Sequence, residues 1–181
     1  MKLLYILAIT FGVSSLCHAK IGKFYPLPVQ EKAIDFFTSD KVLYTVTEFS
    51  ILTEELGFFV SKFTSKDTIR SAYFDKQKIW LGTDSGLMWI NKNTFEKHIV
   101  EFPDNKKPQV VDLFEDMNKN IWICTQNDGV YAFNGGSCEL MLSKQNVYSG
   151  MLMRNGVVSI ITPDGLYCFI NSEWKVFRNE V

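Results

Sequence analysis

Histidine is scarce in this sequence, with 2 residues in 181. His18 lies in an N-terminal segment that we expect to be removed, which leaves His98 alone in the mature chain. One histidine excludes a zinc site built from several histidines and leaves a single candidate base for a Ser-His-Asp arrangement. Residues 95–99 around His98 have the pattern of an outer, solvated strand.

Catalytic signatures are missing as well. The sequence has no nucleophile elbow, no phosphate-binding loop and no dinucleotide fingerprint. We therefore predict that the chain is not an enzyme, that it has no catalytic residues, and that it binds neither a cofactor nor a metal.

An excess of one charge sign is also absent, because 19 basic side chains face 20 acidic ones and the net charge is -1. Such a balance provides no footprint for nucleic acid or for an anionic membrane surface. After residue 20, no apolar run approaches the roughly 20 residues that a membrane helix needs. We expect a water-soluble mature chain with no nucleic-acid partner and no membrane span.

Cysteines are too few for a disulfide scaffold, since the mature chain keeps only Cys124, Cys138 and Cys168. Cys124 and Cys168 lie in apolar, strand-like runs, where a thiol serves as a small buried hydrophobe. Cys138 follows two glycines and is expected to be more exposed. A Cys124–Cys138 bridge across a hairpin is an alternative that the sequence leaves open.

The N-terminus has the features of a signal peptide. Lys2 provides the positive start, and residues 3–13 form an uncharged apolar run that is too short to span a bilayer. Cys17 and Ala19 stand three residues and one residue before a cleavage site that precedes Lys20. We predict a signal peptide at 1–19, a repeat domain at 20–181, and export to the periplasm or the medium.

Two alternatives to cleavage after Ala19 remain. Cys17 could carry a lipid, although Leu16 stands where a small residue is expected before such a cysteine. The segment could also remain uncut as an N-terminal anchor, which its short apolar run disfavours.

Internal repeats are the main positive signal. Residues 78–90 and 120–133 both read apolar, Trp, apolar, small, Thr, a polar turn that includes Gly, and a second apolar alternation. Residues 156–169 form a third copy with Val158 at the Trp position, and residues 41–47 form a fourth with Tyr44 there. Successive markers are 36, 42 and 36 residues apart, close to the ~40–45 residues of a four-stranded propeller blade.

Each repeat resolves into four short strands separated by turn residues, which a helical repeat would not do. Asn155-Gly156, a strong hairpin signal, separates the first two strands of the last unit. We predict an all-β, β-propeller-like fold of about four four-stranded antiparallel blades, with an incomplete propeller as the alternative to a closed one. The predicted blades are 33–64, 69–102, 110–142 and 147–178.

Residues 110–125 with 128–131, and residues 79–87, resemble the two-component regulator propeller repeat. The strong matches cover 69–90 and 110–134, and weaker ones extend over most of 33–178. The resemblance implies a periplasmic sensor propeller of the kind found in hybrid histidine kinases of Bacteroides-type bacteria, which detect polysaccharide fragments. An oligosaccharide ligand, and association with further blades or with another protomer, are its implied partners.

The sequence departs from that family in length. It ends at Val181 without further blades, an Ig-like stalk, a membrane helix, or kinase and receiver motifs. We therefore expect an N-terminal fragment or a truncated member, in which any kinase would belong to a missing C-terminal part.

Two groups of acidic residues have ordinary explanations. Residues 116–120 alternate oxygen ligands like the start of a calcium loop, but Ile121 stands where Gly is required, so a hairpin turn is expected. A set of carboxylates near strand ends could serve glycoside hydrolysis, but its recurrence from repeat to repeat favours turn chemistry. These carboxylates are Asp84, Asp112, Glu115, Asp116 and Asp164.

Tryptophans are the candidate ligand contacts. Trp80 and Trp122 occupy the same repeat position, which favours packing, whereas Trp89 and Trp174 do not recur. Trp89 and Trp174 are therefore the predicted ligand-binding residues, as aromatic platforms for sugar rings. The predicted function is non-catalytic ligand sensing; the alternatives are a stand-alone secreted sugar-binding or protein-interaction propeller and, least favoured, a glycan-cleaving enzyme.

Overall fold

The structure is a computed structural model that describes residues 31–178. Over that range, sixteen strands form four sheets, each with four antiparallel strands in chain order. Blade 1 consists of β1 (Ala33–Ser39), β2 (Val42–Thr47), β3 (Ser50–Glu55) and β4 (Phe58–Thr64). Blade 2 consists of β5 (Ile69–Phe74), β6 (Lys78–Thr83), β7 (Gly86–Asn91) and β8 (Lys97–Val100).

The second half of the chain repeats this plan after a short 3-10 helix at Pro103–Asn105. Blade 3 consists of β9 (Val110–Glu115), β10 (Ile121–Thr125), β11 (Val130–Phe133) and β12 (Cys138–Leu142). Blade 4 consists of β13 (Ser149–Leu152), β14 (Val158–Thr162), β15 (Gly165–Ile170) and β16 (Glu173–Phe177). The predicted all-β architecture of four four-stranded antiparallel sheets is confirmed. The predicted signal peptide, 1–19, lies outside the described residues.

The blades stack in order through their first strands, with β1 against β5, β5 against β9, and β9 against β13. Three apolar clusters fill the three junctions between successive blades. Within residues 31–178, no comparable contact joins β1 to β13, so the four blades form an open arc. Over the same range, no helix is long and apolar enough to cross a membrane.

Each junction pairs a large aromatic side chain with aliphatic side chains of the neighbouring blade. Trp80 of blade 2 packs with Ile121 and Ile123 of blade 3. A small residue lets neighbouring blades approach at Gly82. A Cβ atom on Gly82 would lie 2.5 Å from the Val110 side chain of blade 3, closer than carbon atoms can pack.

A threonine ends the second strand of every blade and closes the turn that follows. The hydroxyl groups of Thr83 and Thr125 donate to the carbonyl oxygens of Gly86 and Gly129 at 2.9 and 2.7 Å. In blades 1 and 4 the hydroxyl groups of Thr47 and Thr162 lie 3.2 Å from the carbonyl oxygens of Ser50 and Gly165, and each shares its single proton with a nearer carboxylate, that of Glu31 or Asp164. All four threonines are buried, so these hydrogen bonds satisfy polar groups that water cannot reach.

The threonine corrects the alignment of the last repeat. When Thr162 is matched to Thr125, the residue at the Trp position is Ser159, and the prediction of Val158 there is wrong by one residue. Val158 packs in the core between blades 3 and 4, so its side chain faces the preceding blade, whereas Trp122 faces the following one. The error arose because both faces of a blade's central strand are apolar. The sequence then shows no alternation of apolar and polar residues from which the face of each residue could be assigned.

An aspartate in the first turn of blades 2 and 3 holds the tryptophan of the next strand. Asp116 Oδ2 accepts hydrogen bonds from Trp122 Nε1 and Asn120 Nδ2, both at 2.9 Å. Its Oδ1 accepts the backbone N–H groups of Asn118 and Asn120 at 2.8 and 2.9 Å. Asp75 and Trp80 form the same indole contact at 3.0 Å. The structure contains the hairpin turn expected at 116–120.

The three cysteines within residues 31–178 are free and buried. Cys138, which was expected to be more exposed, is the most exposed of the three at 8%, against 5% for Cys168 and 0% for Cys124, but it too packs in a core, the one between blades 2 and 3. Cys124 packs in the core between blades 3 and 4, on the opposite face of the same sheet, so the Cys124–Cys138 bridge does not form. Burial, with a smaller effect of Glu139, raises the pKa of Cys138 to about 12, so its thiol remains protonated and unreactive.

We expect the substitution Thr125→Val to destabilise the fold by roughly 1–3 kcal/mol, because the buried turn would lose its hydroxyl partner. The matched control is Thr38→Val, at an exposed strand position for which the structure describes no side-chain hydrogen bond. Urea unfolding followed by tryptophan fluorescence measures both variants. Equal unfolding midpoints for the two would contradict a stabilising role for the turn hydroxyl.

The turn at Asp116 also predicts a pH dependence. Partial burial raises the pKa of Asp116, but the hydrogen bonds from Trp122, Asn120 and Asn118 outweigh it and hold the pKa below its usual 3.8. A depressed folded-state pKa gives stability that is present above pH ~4 and is lost as the pH falls through the folded value. Between about pH 6 and pH 3, the wild type should therefore lose more unfolding free energy than Asp116→Asn, as measured by urea titrations at both pH values.

Candidate functional site

A polar groove lies between blades 3 and 4, on the side of the arc that carries the turns following the second strand of each blade. It has a volume of about 520 Å³. We call it the turn-side groove. The β10–β11 turn, the β12–β13 connection and the β14–β15 turn form its walls, with Lys106 at one end. Its lining residues are Lys106, Asn127, Asp128, Leu140, Ser143, Lys144, Gln145, Asn146, Pro163 and Asp164.

The backbone around the groove is held by specific turn geometry. Gly165 has a φ of +142°, and a Cβ atom there would lie 2.7 Å from the Phe177 carbonyl oxygen. Only glycine fits that position, which directly follows the lining residues Pro163 and Asp164. On the opposite wall, Asn146 has a left-handed φ of 55°, which asparagine tolerates better than most residues. Its N–H donates to the Gln126 carbonyl at 2.5 Å, which fixes the connection against the β10–β11 turn.

Two lysine-aspartate pairs flank the groove. Lys144 Nζ lies 2.9 Å from Asp164 Oδ2, and Lys106 Nζ lies 3.5 Å from Asp128 Oδ1. The Asp164 carboxylate also accepts hydrogen bonds from the hydroxyl groups of Thr162 and Tyr167. The Lys144–Asp164 pair therefore presents a held donor and acceptor side by side, and each of the four ionisable lining residues has an oppositely charged partner.

These contacts keep the Lys144–Asp164 pair ionised. Hydrogen bonds from Thr162, Tyr167 and Lys144 hold the pKa of Asp164 far below its usual range. Contacts with Tyr167 and Asp164 raise the pKa of Lys144. A carboxyl group with a depressed pKa is unsuited to the general-acid step of glycoside hydrolysis, which needs a raised one.

The two predicted ligand-binding tryptophans are not brought together, and neither lines the groove. Trp89 stacks on His98 with ring centroids 3.8 Å apart, and Lys78 Nζ lies 4.4 Å from its ring centroid. Trp174 Nε1 donates to the Met141 carbonyl at 2.7 Å, and its ring packs edge-on against Trp122. Both are partly buried, and the binding role predicted for them stays a prediction.

The acidic residues singled out from the sequence have structural partners. Asp84 accepts from Arg70 and from Gln109 Nε2, the latter at 3.0 Å. Asp112 Oδ2 accepts the Ser149 hydroxyl at 2.6 Å and thereby joins blades 3 and 4, and Glu115 pairs with Lys119. Within residues 31–178, no group of His, Cys, Asp and Glu could hold a metal ion.

Sequence reasoning named Asp164 but missed its partners in the groove. Lys144 is 20 residues away from Asp164, and Lys106 is separated from Asp128 by two strands. Lysines in connections between blades carry no repeat signal. One signal could have indicated the groove. The turn between the second and third strands ends in Asp-Gly in both blade 3 and blade 4, and these two turns lie on the side of the turn-side groove.

Comparison with known proteins supports the propeller fold. No family model matches the chain. A segment of 71 residues is 34% identical to Histidine kinase P4 of Formosa agariphila, and the match covers 35% of this chain and 5% of that protein.

The extracellular domain of the putative hybrid two-component system BT4673 from B. thetaiotaomicron superposes with a TM-score of 0.68 at 20% identity. That match covers 82% of this chain and 22% of the other. Catalytically inactive H270A virginiamycin B lyase from Staphylococcus aureus gives 0.69 at 12% identity, covering 86% of this chain and 59% of the lyase. The chain is thus similar to a β-propeller segment that occurs in extracellular sensor domains and in enzymes, and it spans a small part of the sensor proteins that it matches.

Proposed function

We propose that this chain is a non-catalytic ligand-sensing propeller segment that is exported and binds an oligosaccharide in the turn-side groove. The observation that carries the proposal is the groove itself, where paired lysines and aspartates stand beside the amides of Asn127, Gln145 and Asn146. Fixed donors and acceptors in a concave site are what a polyhydroxylated ligand requires. The similarity to an extracellular domain of a hybrid two-component system supports a sensing role.

A stand-alone secreted sugar-binding or protein-interaction propeller remains the alternative, and it would use the same groove without a signalling partner. Glycan cleavage is the less favoured reading, although the propeller of virginiamycin B lyase belongs to an enzyme. Both groove carboxylates are paired with lysine, and His98 is stacked on Trp89 outside the groove lining. These contacts leave no obvious general acid or base facing a bound ligand.

The proposed binding predicts a thermal shift. An oligosaccharide at about 100 times its dissociation constant stabilises the folded state by about 2.7 kcal/mol. Residues 20–181 should then melt several degrees higher with at least one member of a panel of plant and microbial oligosaccharides. The same mixtures, analysed for new reducing ends, should show no cleavage. A melting temperature that no sugar raises would contradict binding. Released reducing ends would favour the glycan-cleaving function.

Association through the open end of the arc is the second part of the proposal. One face of blade 4 carries Met151, Ile161 and Phe177, which are 52%, 43% and 55% exposed. Cross-strand pairing places Ile161, Leu166 and Phe177 in one row on that face. At the other junctions the equivalent face is covered by the next blade. We propose that this face packs against a further propeller blade, through which binding could be transmitted.

If the exposed apolar face of blade 4 drives association, residues 20–181 should self-associate as the protein concentration rises. Ile161→Asp should reduce the association without lowering the melting temperature. Ile99→Asp is the matched control, because Ile99 lies on strand β8 and is 71% exposed away from blade 4. Light scattering after size-exclusion chromatography measures both variants. A monomer at all concentrations, or an equal effect of the two substitutions, would argue against the proposed face.

A further inference from the structure

We propose that the turn-side groove selects uncharged oligosaccharides over acidic ones, and that adjacent hydroxyl groups of a sugar ring bind across the Lys144–Asp164 pair. This inference rests on the proposed function and specifies the chemical class of its ligand.

The charge balance of the groove is the first argument. Each of the two lining lysines, Lys106 and Lys144, already has an aspartate at 3.5 or 2.9 Å. A uronate carboxylate would have to approach an ammonium group that is already neutralised, and it would meet the oxygen atoms of Asp128 or Asp164 beside it. Like charges at such distances repel, so an acidic sugar gains little from these lysines. A cationic ligand meets the same obstacle from the lysines.

The match of donors to acceptors is the second argument. An ammonium group only donates hydrogen bonds and an ionised carboxylate only accepts them, whereas a hydroxyl group does both. Two neighbouring hydroxyls of a sugar ring can therefore accept from Lys144 Nζ and donate to the Asp164 carboxylate, whose Oδ2 lies 2.9 Å from Nζ. Thr162 donates to Oδ1 of that carboxylate and Tyr167 donates to Oδ2, so the carboxylate is positioned before a ligand arrives, and Oδ1 keeps a lone pair for the sugar hydroxyl. Hydrogen bonds to charged groups are the strong ones.

The remaining lining suits the rest of a sugar. Asn127, Gln145 and Asn146 add amides that can both donate and accept. Leu140, which is 47% exposed, and Pro163 provide apolar surface for the C–H face of a ring. A volume of about 520 Å³ falls within the ~300–1,000 Å³ usual for ligand sites.

Isothermal titration of residues 20–181 tests the selectivity. The probes are hexamers of glucose, mannose, galactose and xylose, together with hexamers of galacturonate and mannuronate as the acidic set. We expect binding by at least one neutral hexamer and by neither uronate. The affinity should change little between about 20 and 150 mM salt, because no net charge is neutralised on binding.

A double variant, Lys144→Met with Asp164→Asn, should weaken the neutral hexamer by about 10-fold or more, since two charge-assisted hydrogen bonds are lost. The matched control is Lys62→Met with Glu55→Gln, which removes the Lys62–Glu55 pair of blade 1 outside the groove lining. The control should bind within about 2-fold of wild type. Melting temperatures of both variants verify that they fold.

The outcomes separate this inference from the proposed function. Tight uronate binding that weakens steeply with salt would overturn the inference while leaving oligosaccharide binding intact. If the double variant Lys144→Met with Asp164→Asn binds a neutral hexamer as tightly as the wild type does, the ligand binds elsewhere, and the inference is overturned as well. Failure of every hexamer to bind would reject the proposed function, and the inference with it.

Discussion

The buried hydrogen bond from a threonine hydroxyl to the carbonyl across the following turn is the constraint on which the blade geometry depends. The contact recurs in all four blades, at Thr47, Thr83, Thr125 and Thr162, although Thr47 and Thr162 share their proton with a neighbouring carboxylate. Because the side chains of a strand alternate between faces, fixing one end of the second strand fixes which residues face the preceding blade and which face the next. Hydrophobicity alone could not do this, since the strands are apolar on both faces. The polar bond therefore sets the register, and the apolar junctions provide the stability.

The junctions themselves differ in how their aromatic side chain is held. In blades 2 and 3 an aspartate in the first turn accepts the indole N–H of Trp80 or Trp122, which satisfies a donor that burial would otherwise leave unpaired. Blade 1 has Tyr44 at that position and blade 4 has Ser159. The small Ser159 leaves the outward face of blade 4 without the bulk that covers a junction elsewhere, and its larger neighbours, Met151 and Ile161, are exposed. The end of the arc is thus chemically different from its interior.

The fold could be predicted from the sequence because turn residues and strand lengths recur from repeat to repeat. Blade 3 shows this, because Asp116, Asn120 and Gly129 mark the turns between strands that run from Val110 to Leu142. The fourth repeat was shifted by one residue because Val158 and Ile160 resemble the Trp and Cys of blade 3 in hydrophobicity but lie on the other face. Cys138 is the most exposed of the three thiols, as its two preceding glycines suggested, but it is still buried because the strand that follows them returns into a core.

The candidate site was beyond the reach of the sequence for a related physical reason. Residues of the turn-side groove come from connections between blades, and their spacing along the chain has no period. Lys144 and Asp164 meet only because blades 3 and 4 stack, so the pair is a product of the arc and not of either repeat. Tryptophans attracted attention as platforms for sugar rings, yet a propeller uses the same side chains to fill its junctions, as Trp174 does against Trp122. In such a fold, binding residues are better sought in the irregular connections, where packing places no demand on the side chain and charge pairing can be adjusted to a ligand.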